Sequence, residues 1–442
     1  MTIAWFSPMP PVASGVAAYS ADAVAALRQR GHDIDVYPEA AAHDFPWRHQ
    51  QRPYQLVVHQ FGNSSHHDYQ WPYAFHYPGL AVLHDTRLHH ARAALLLRER
   101  RTADYRAEFR WNQPDAVQDA PDIAIAGLDS SLYYEWPMCR ALVERSRLVA
   151  VHGEGARREL VERLSELGGS TSDDRSAYAG RIAAIRLGHG QPVTGEQAAA
   201  ARAAIRDRYR IPHDAVVFGV FGGLTPDKRI AQVLAAFRAT LPFAPGARLL
   251  LAGAPAEHLD MPLDDPARAG AVVVTGYVEG EDAFTAHLAA ADVTLHLRWP
   301  TARETSGPWV RALAAGRATV TTDLVQAARI PSLDPRTWTT RGDGAAPPVC
   351  VAVDILDEDH SLRLAMRRLA ADAALRDSLG RAARDYWARE HSVAAMADDY
   401  ERLVARAAAT PDGDPELPAH LTADGAERLR ALLVPLGLEV PW

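Results

Sequence analysis

Glu304-Thr305-Ser306-Gly307-Pro308 packs a carboxylate, two hydroxyls and a helix start into five residues. A proline at the start of a helix costs nothing, because the amide it lacks would have had no partner there. Pro308 therefore marks a helix start, and the amides about Ser306 and Gly307 point outward. Such an end attracts phosphate through unpaired N–H groups and the helix dipole. A carboxylate beside it would repel a phosphate unless it had another task, such as holding hydroxyls of the group the phosphate carries. The chemistry this spacing suggests is recognition of a phosphorylated sugar.

A second candidate is Gly222-Gly223-Leu224-Thr225-Pro226-Asp227-Lys228-Arg229. Its paired glycines permit close backbone approach. Lys228 can neutralise a diphosphate leaving group as charge grows on it. On composition alone a solvated helix-start lysine is commoner, but the place after a strand and a glycine turn favours the charged-ligand reading. Ser14 reads as an N-cap and Gly15 as a helix start after the first strand. Without GxGxxG this is as readily a tight turn as a ligand loop.

His84-Asp85 ends an apolar strand. His84 can bond a sugar hydroxyl or relay a proton near neutral pH, and Asp85 can orient it or meet an acceptor hydroxyl; the alternative is a polar turn. With His89 and His90 these residues show no zinc spacing, so no metal is expected. Asn63 and Ser64 either line a ligand cleft or are plain turn residues. The backbone at Tyr277 and Val278 could hold a nucleobase edge, or be simple loop geometry. Trp71, Tyr73, Tyr133 and Tyr134 are an acceptor platform or ordinary packing.

These residues need a scaffold, and the sequence supplies an alternating one. Apolar runs at 3–6, 34–37, 55–59, 80–84, 147–152 and 182–187 are separated by helical patterns, and so are those at 216–221, 248–252, 272–275, 293–297 and 319–322. Strands alternating with helices imply parallel sheets covered on both faces. Two tandem α/β units joined near 190–212 are expected, with helices over 360–408, a Pro/Asp linker at 411–420 and a further helix at 422–438. With 442 residues the chain is too long for one ordinary core. A net charge of −8 argues against a nucleic-acid binder. Two cysteines, Cys139 and Cys350, form no CxxC, and no signal peptide or membrane span is read, so a cytoplasmic protein is expected. Contact with a membrane surface stays open.

Together these pieces resemble the retaining glycosyltransferases of the large GT4 class, which have the GT-B fold. The matching landmarks are Pro11 to Ala17, Leu83-His84-Asp85, Leu187-Gly188-His189-Gly190, Gly222-Gly223-Leu224 with Asp227-Lys228, Thr275-Gly276-Tyr277-Val278, and Glu304-Thr305-Ser306-Gly307 leading to Ala315-Gly316. The resemblance implies α/β architecture with two Rossmann-like domains facing each other across a cleft. It divides the chain into an acceptor domain (1–190), a nucleotide-sugar donor domain (191–390), a helix crossing back to the first domain (391–408) and an extension (409–442). Glu304 would contact donor-sugar hydroxyls, the amides after Gly307 the diphosphate, and Lys228 would pair with it. His84 would sit beside the donor sugar and Gly15 would allow close approach to the donor phosphate. The expected site comprises His84, Asp85, Lys228 and Glu304 as catalytic residues. Ser14, Gly15, Gly222, Gly223, Tyr277, Val278, Arg303, Thr305, Ser306 and Gly307 are the expected donor contacts.

Two departures stand out. Gly223 replaces a usual basic residue, for which Arg303 or Arg229 would have to substitute. Ala312 replaces a second glutamate that grips the nucleotide ribose. The expectation is a metal-independent, hexosyltransferase-like enzyme without a cofactor. It would move a sugar from a UDP- or GDP-sugar to a glycan or lipid-linked acceptor, in the cytoplasm or at the inner face of the membrane. A degenerate sugar-nucleotide-binding partner subunit and another Rossmann-type enzyme are the alternatives.

Overall fold

The structure is a computed structural model. It describes all residues except 129–131, 168–171, 193–194, 257–258, 260–269, 342–345, 424–428, 430–431 and 439–442. The chain divides into two compact units. One comprises Met1–His152, Ala156–Ile185 and Tyr400–Trp442, and the other Gly153–Gly155 and Arg186–Asp399.

The first unit is built on β1 (Thr2–Phe6), β2 (Asp33–Tyr37), β3 (Leu56–Phe61), β4 (Leu80–Leu83), β5 (Leu148–His152) and β6 (Ile182–Ile185), in the order β2-β1-β3-β4-β5-β6. Every pairing is parallel. Strands β3, β4 and β5 are buried along their whole length. This is why they read as continuous apolar runs and not as alternating ones. The helix Gly15–Gln29 is capped by Ser14, whose hydroxyl accepts from Val16 N at 3.2 Å. It ends before Gly31, which takes φ +89°.

Between β4 and β5 the chain inserts helices, among them His89–Arg98, Thr102–Asn112 and Ala120–Ile125, which the sequence reading does not anticipate. They enclose their own core of Leu96, Tyr105, Phe109, Tyr133 and Met138. Tyr133 and Trp71 are buried, so of the two readings offered for these aromatics theirs is packing.

The second unit has β7 (Val217–Phe221), β8 (Arg248–Ala252), β9 (Val272–Val274), β10 (Val293–His296), β11 (Ala318–Thr322), β12 (Ser332–Leu333), β13 (Thr340–Arg341) and β14 (Cys350–Val353). Their order is β13-β12-β14-β11-β10-β7-β8-β9, parallel except for the β12–β13 pair. The helices Ile230–Thr240 and Glu358–Ala371 bring Leu234, Phe237, Leu362 and Met366 onto one side of this sheet, all but sealed from solvent. Each such side chain contributes about 1.5–3 kcal/mol over its exposed state.

Every strand read from the sequence is present within one or two residues. The last three were not read. β14 carries the same buried apolar signature as its neighbours, whereas β12 and β13, two residues each, are too short to show a period.

Two expectations near the end of the chain change. Residues 411–418 have no regular structure, but they are not a loose linker. Arg147 Nε pairs with Asp412 Oδ1 at 2.6 Å, Arg145 donates to Gly413 O at 2.6 Å, and the Trp111 indole donates to Glu416 O at 2.7 Å. Gly413 lies so close to the carbonyl of Glu144 that a Cβ there would sit 1.7 Å from it. Of the expected helix at 422–438, residues 424–428 and 430–431 lie outside the described residues; the described part holds the end of the short helix Ala419–Thr422, helical backbone at 429 and 432–433, and a 3-10 turn at Val434–Leu436.

Candidate functional site

In the second unit β7 and β10 are neighbours, but β7 leads out toward β8 on one side and β10 toward β11 on the other. Ligands bind beyond the carboxyl ends of strands at such a divergence. The loops leaving β7 and β10 hold most of the predicted site, and they touch. Trp299 N donates to Asp227 O at 2.8 Å.

The β7 loop turns on Gly222, at φ +81°. A side chain there would meet Lys228 Nζ at 2.9 Å and Pro308 Cγ at 3.6 Å. The ammonium of Lys228 and the start of the helix Gly307–Ala314 thus converge on one glycine. Behind it, a Cβ on Gly253 would lie 2.0 Å from Gly222 O, so the turn after β8 fixes the shape of the turn after β7. No atom crowds the space beside Gly223.

Lys228 is only 9% exposed, and Nζ donates to Phe221 O at 3.1 Å. Burial pulls its pKa down to about 7, and Arg298 pulls the same way; Asp227 and Glu304 oppose them. A buried ammonium with one neutral partner is a group an anion would stabilise.

Glu304 is not the uncompensated carboxylate that the sequence presents. Its Oε1 lies 2.8 Å from Arg298 Nε and its Oε2 accepts from Thr301 Oγ1 at 2.8 Å. Arg298 also lies 3.4 Å from Asp227. Arg303 takes φ +65°, and its amide donates to the same Thr301 hydroxyl at 3.0 Å. Thr305 is half-buried beside them. Ser306 caps the helix Gly307–Ala314, accepting from Trp309 N at 3.4 Å, with Pro308 in the first turn as the sequence predicts.

Arg298 is the residue that the sequence reading missed. It stands two residues past β10, as Asp85 does past β4, and a charge closing an apolar strand was the available signal. The substitute proposed for the basic residue at 223 is corrected at Arg229, whose guanidinium lies 2.9 and 3.0 Å from the two oxygens of Glu358. Arg298 is the cation whose charge acts on Lys228.

Glu304 also lines a cavity of about 70 Å3, together with His296, Trp309, Gln326 and Ile330 among others. Tyr277 is 63% exposed, while Val278 packs with Phe284 against the cluster that holds Phe221 and Ala312. Ala312 is wholly buried there. Its neighbour Arg311 lies 3.7 Å over the Phe284 ring and pairs with Glu281. His189 is held by its backbone, N donating to His391 O at 3.1 Å and O accepting from the Trp387 indole at 2.8 Å. This leaves its ring 4.0 Å from the Cβ position of Gly307.

Ser14, Gly15, His84 and Asp85 belong to the first unit, where β1 and β3 are the diverging neighbours. Gly15 opens its helix with free space around the Cβ position. Tyr19 of the same helix packs edge-on to His84, 4.8 Å between centroids. Asp85 Oδ2 accepts from Asn63 N at 2.6 Å, and Asn63 Oδ1 accepts from Ala91 N at 2.9 Å, which gives Asn63 a structural role. His84 lies 2.9 Å from Gln60 Oε1 through Nε2 and 3.1 Å from His152 Nε2 through Nδ1. Burial first, then His152 and His67, push its pKa well below the ordinary histidine value. Of the two roles read for it from the sequence, a bond to a sugar hydroxyl or a proton relay near neutral pH, this speaks against the relay, because a densely packed ring with both nitrogens engaged resists a charge. Among the described residues no cluster of three His, Cys, Asp or Glu could hold a metal, and no helix is long and apolar enough to cross a membrane.

Residues 215–336, which carry the β7 and β10 loops, match the family model described as group 1 glycosyl transferases. No curated protein sequence matches the chain. Among solved structures, Anabaena HepE in complex with UDP is 13% identical, with 92% of this chain and 100% of that chain covered and a TM-score of 0.54. WaaG, a glycosyltransferase involved in lipopolysaccharide biosynthesis, is 13% identical over 91% and 99% of the two chains, with a TM-score of 0.55. The UDP-forming α,α-trehalose-phosphate synthase from Burkholderia xenovorans, solved with glucose-6-phosphate, is 13% identical over 92% and 100%, at 0.54. At these identities the likeness is one of fold, and the two parallel α/β units are those of the GT-B fold.

Proposed function

We propose that this chain is a GT4-type, retaining, metal-independent glycosyltransferase that takes its donor sugar on a nucleoside diphosphate. The observation that carries the reading is the convergence on Gly222 of the Lys228 ammonium and the start of the helix capped by Ser306, inside the segment that matches the group 1 family. A diphosphate there would meet a cation and open helix amides together. Arg298 resolves the repulsion that Glu304 would otherwise exert, leaving that carboxylate able to accept sugar hydroxyls.

In this reading residues 191–390 bind the donor through Lys228, Glu304 and the amides from Thr305 to Gly307, and Tyr277 and Val278 border the base. Residues 1–190 hold the acceptor and also turn Ser14, Gly15 and His84 toward the donor phosphate and sugar, with Asp85 placed to meet an acceptor hydroxyl. The acceptor hydroxyl attacks the anomeric carbon from the face the diphosphate leaves, and the departing phosphate oxygen takes its proton. Charge neutralisation at the phosphate supplies most of the acceleration. HepE is solved with UDP and the Burkholderia synthase is named UDP-forming, which supports uridine as the nucleotide. A glycan or lipid-linked acceptor fits, the latter placing the cytoplasmic protein at the inner face of a membrane.

A thermal-shift screen of UDP- and GDP-sugars tests this. At least one donor should raise the melting temperature, and Lys228→Ala and Glu304→Ala should each abolish the rise. If no donor moves the wild-type curve, the proposal fails. The buried Ala312, where the family has a ribose-binding carboxylate, favours a second reading as a binding partner without turnover. Slow hydrolysis of a bound donor without acceptor would exclude that reading.

A further inference from the structure

The carboxyl ends of β3, β4 and β5 place three polar side chains side by side, and the helix Val393–Ala409 adds a fourth. Gln60, fully buried, donates through Nε2 to Tyr400 Oη at 3.1 Å and offers Oε1 to His84 Nε2 at 2.9 Å. An amide oxygen only accepts, so His84 Nε2 carries the ring proton. Nδ1 of the neutral ring is then an acceptor, and it lies 3.1 Å from His152 Nε2, which donates to it. Tyr400 is itself fully buried and accepts a second bond, from Tyr19 Oη at 3.0 Å. The Tyr19 ring closes the group edge-on, 4.8 Å from His84 and 5.2 Å from His152.

We propose that Gln60, His152 and Tyr400 are positioning residues that hold the His84 imidazole neutral, in one tautomer and one orientation, at the carboxyl end of β4. The inference rests on the reading of His84 as a neighbour of the donor sugar. It changes what His84 does there. A second proton on the ring would have to go to Nδ1, setting it donor to donor against His152. The groups around the ring are His152 from β5, His67 from the turn after β3, and the hydroxyls of Tyr19 and Tyr400; the Asp85 carboxylate next in sequence is bound to Asn63 N. The two histidines add no negative charge that would favour an imidazolium. His84 therefore contributes a fixed shape and dipole, the preorganised kind of stabilisation, and no proton transfer.

The full-length protein, labelled with 15N-histidine and with His84 assigned by its loss in His84→Gln, tests this by NMR. The ring should keep its proton on Nε2 with no titration from about pH 5.5 to 8, the range in which an ordinary histidine changes charge. Gln60→Glu is isosteric and puts a carboxylate against Nε2. His84 should then titrate within that range and the pH profile of transfer should gain a limb. Tyr400→Phe should lower kcat by about 10- to 100-fold, as a misplaced group does, with donor KM within about twofold. Should Tyr400→Phe not fold, the Gln60→Glu titration still decides. A wild-type His84 that titrates at an ordinary midpoint, a proton on Nδ1, or unchanged kcat and tautomer in both variants would overturn the proposal. If no donor is ever turned over, the enzymatic reading falls, while the NMR arm still decides whether His84 is held.

Discussion

Each unit packs a titratable side chain past the carboxyl end of a parallel strand, and desolvation works to opposite ends. Lys228 sits past β7 with one neutral acceptor, two carboxylates and an arginine nearby, and its pKa rests at about 7. His84 sits past β4 with both ring nitrogens engaged, and its pKa is driven well below neutrality. Burial alone therefore does not say what a titratable group is for. The deciding matter is whether its partners leave room for a ligand's charge. Around Lys228 a phosphate would complete the shell; around His84 the protein has completed it already.

The sharpest way to break the contrast is Lys228→Met. Transfer should fall about 100- to 1000-fold, the usual loss when a group that stabilises developing charge is removed. A rate within threefold of wild type would sink the reading of the second unit. In the unliganded protein the sign reverses. The folded pKa of about 7 lies below the unfolded 10.5, so between these values the unfolded chain binds more protons and stability rises with pH. Below pH 7 the native state bears the full cost of an enclosed ammonium. Lys228→Met should therefore melt higher than wild type at pH 6, with the advantage shrinking by pH 10; an equal advantage at both would contradict the depressed pKa.

Gly253→Ala comes next. It should cost about 1–3 kcal/mol, as overpacking does, and weaken donor binding because Gly222 must move. Urea titration with and without donor separates the two effects. Ser306→Ala removes a helix cap and should cost about 1 kcal/mol with little change in donor affinity.

The smallest effect is in the pH profile of kcat/KM, which reports the free enzyme. It should fall once as pH rises through about 7, where Lys228 loses its proton. A second limb near the ordinary histidine value would mean that His84 titrates after all.

Much of this was legible in the sequence, because parallel strands buried on both faces announce themselves as apolar runs. Pro308 after Ser306-Gly307 was enough to place the helix start, and the glycine turn was enough to place Lys228. What the sequence hid was pairing. Nothing at Glu304 shows that Arg298, six residues earlier, would neutralise it, since that depends on how the β10 loop folds back. Nothing at His84 shows Gln60, His152 and Tyr400, which come from 24 to more than 300 residues away. The same holds for Arg229, whose carboxylate is 129 positions distant.

The stretch after Thr410 offers a practical warning. A chain cut there to tidy its terminus would deprive Arg145, Arg147 and Trp111 of an acceptor each, and would strip the imidazole of His420 from Glu108, 3.0 Å away in the helices between β4 and β5. The damage would surface some three hundred positions upstream of the scissors, and a crystallographer trimming an untidy tail would be loosening the far end of the same garment.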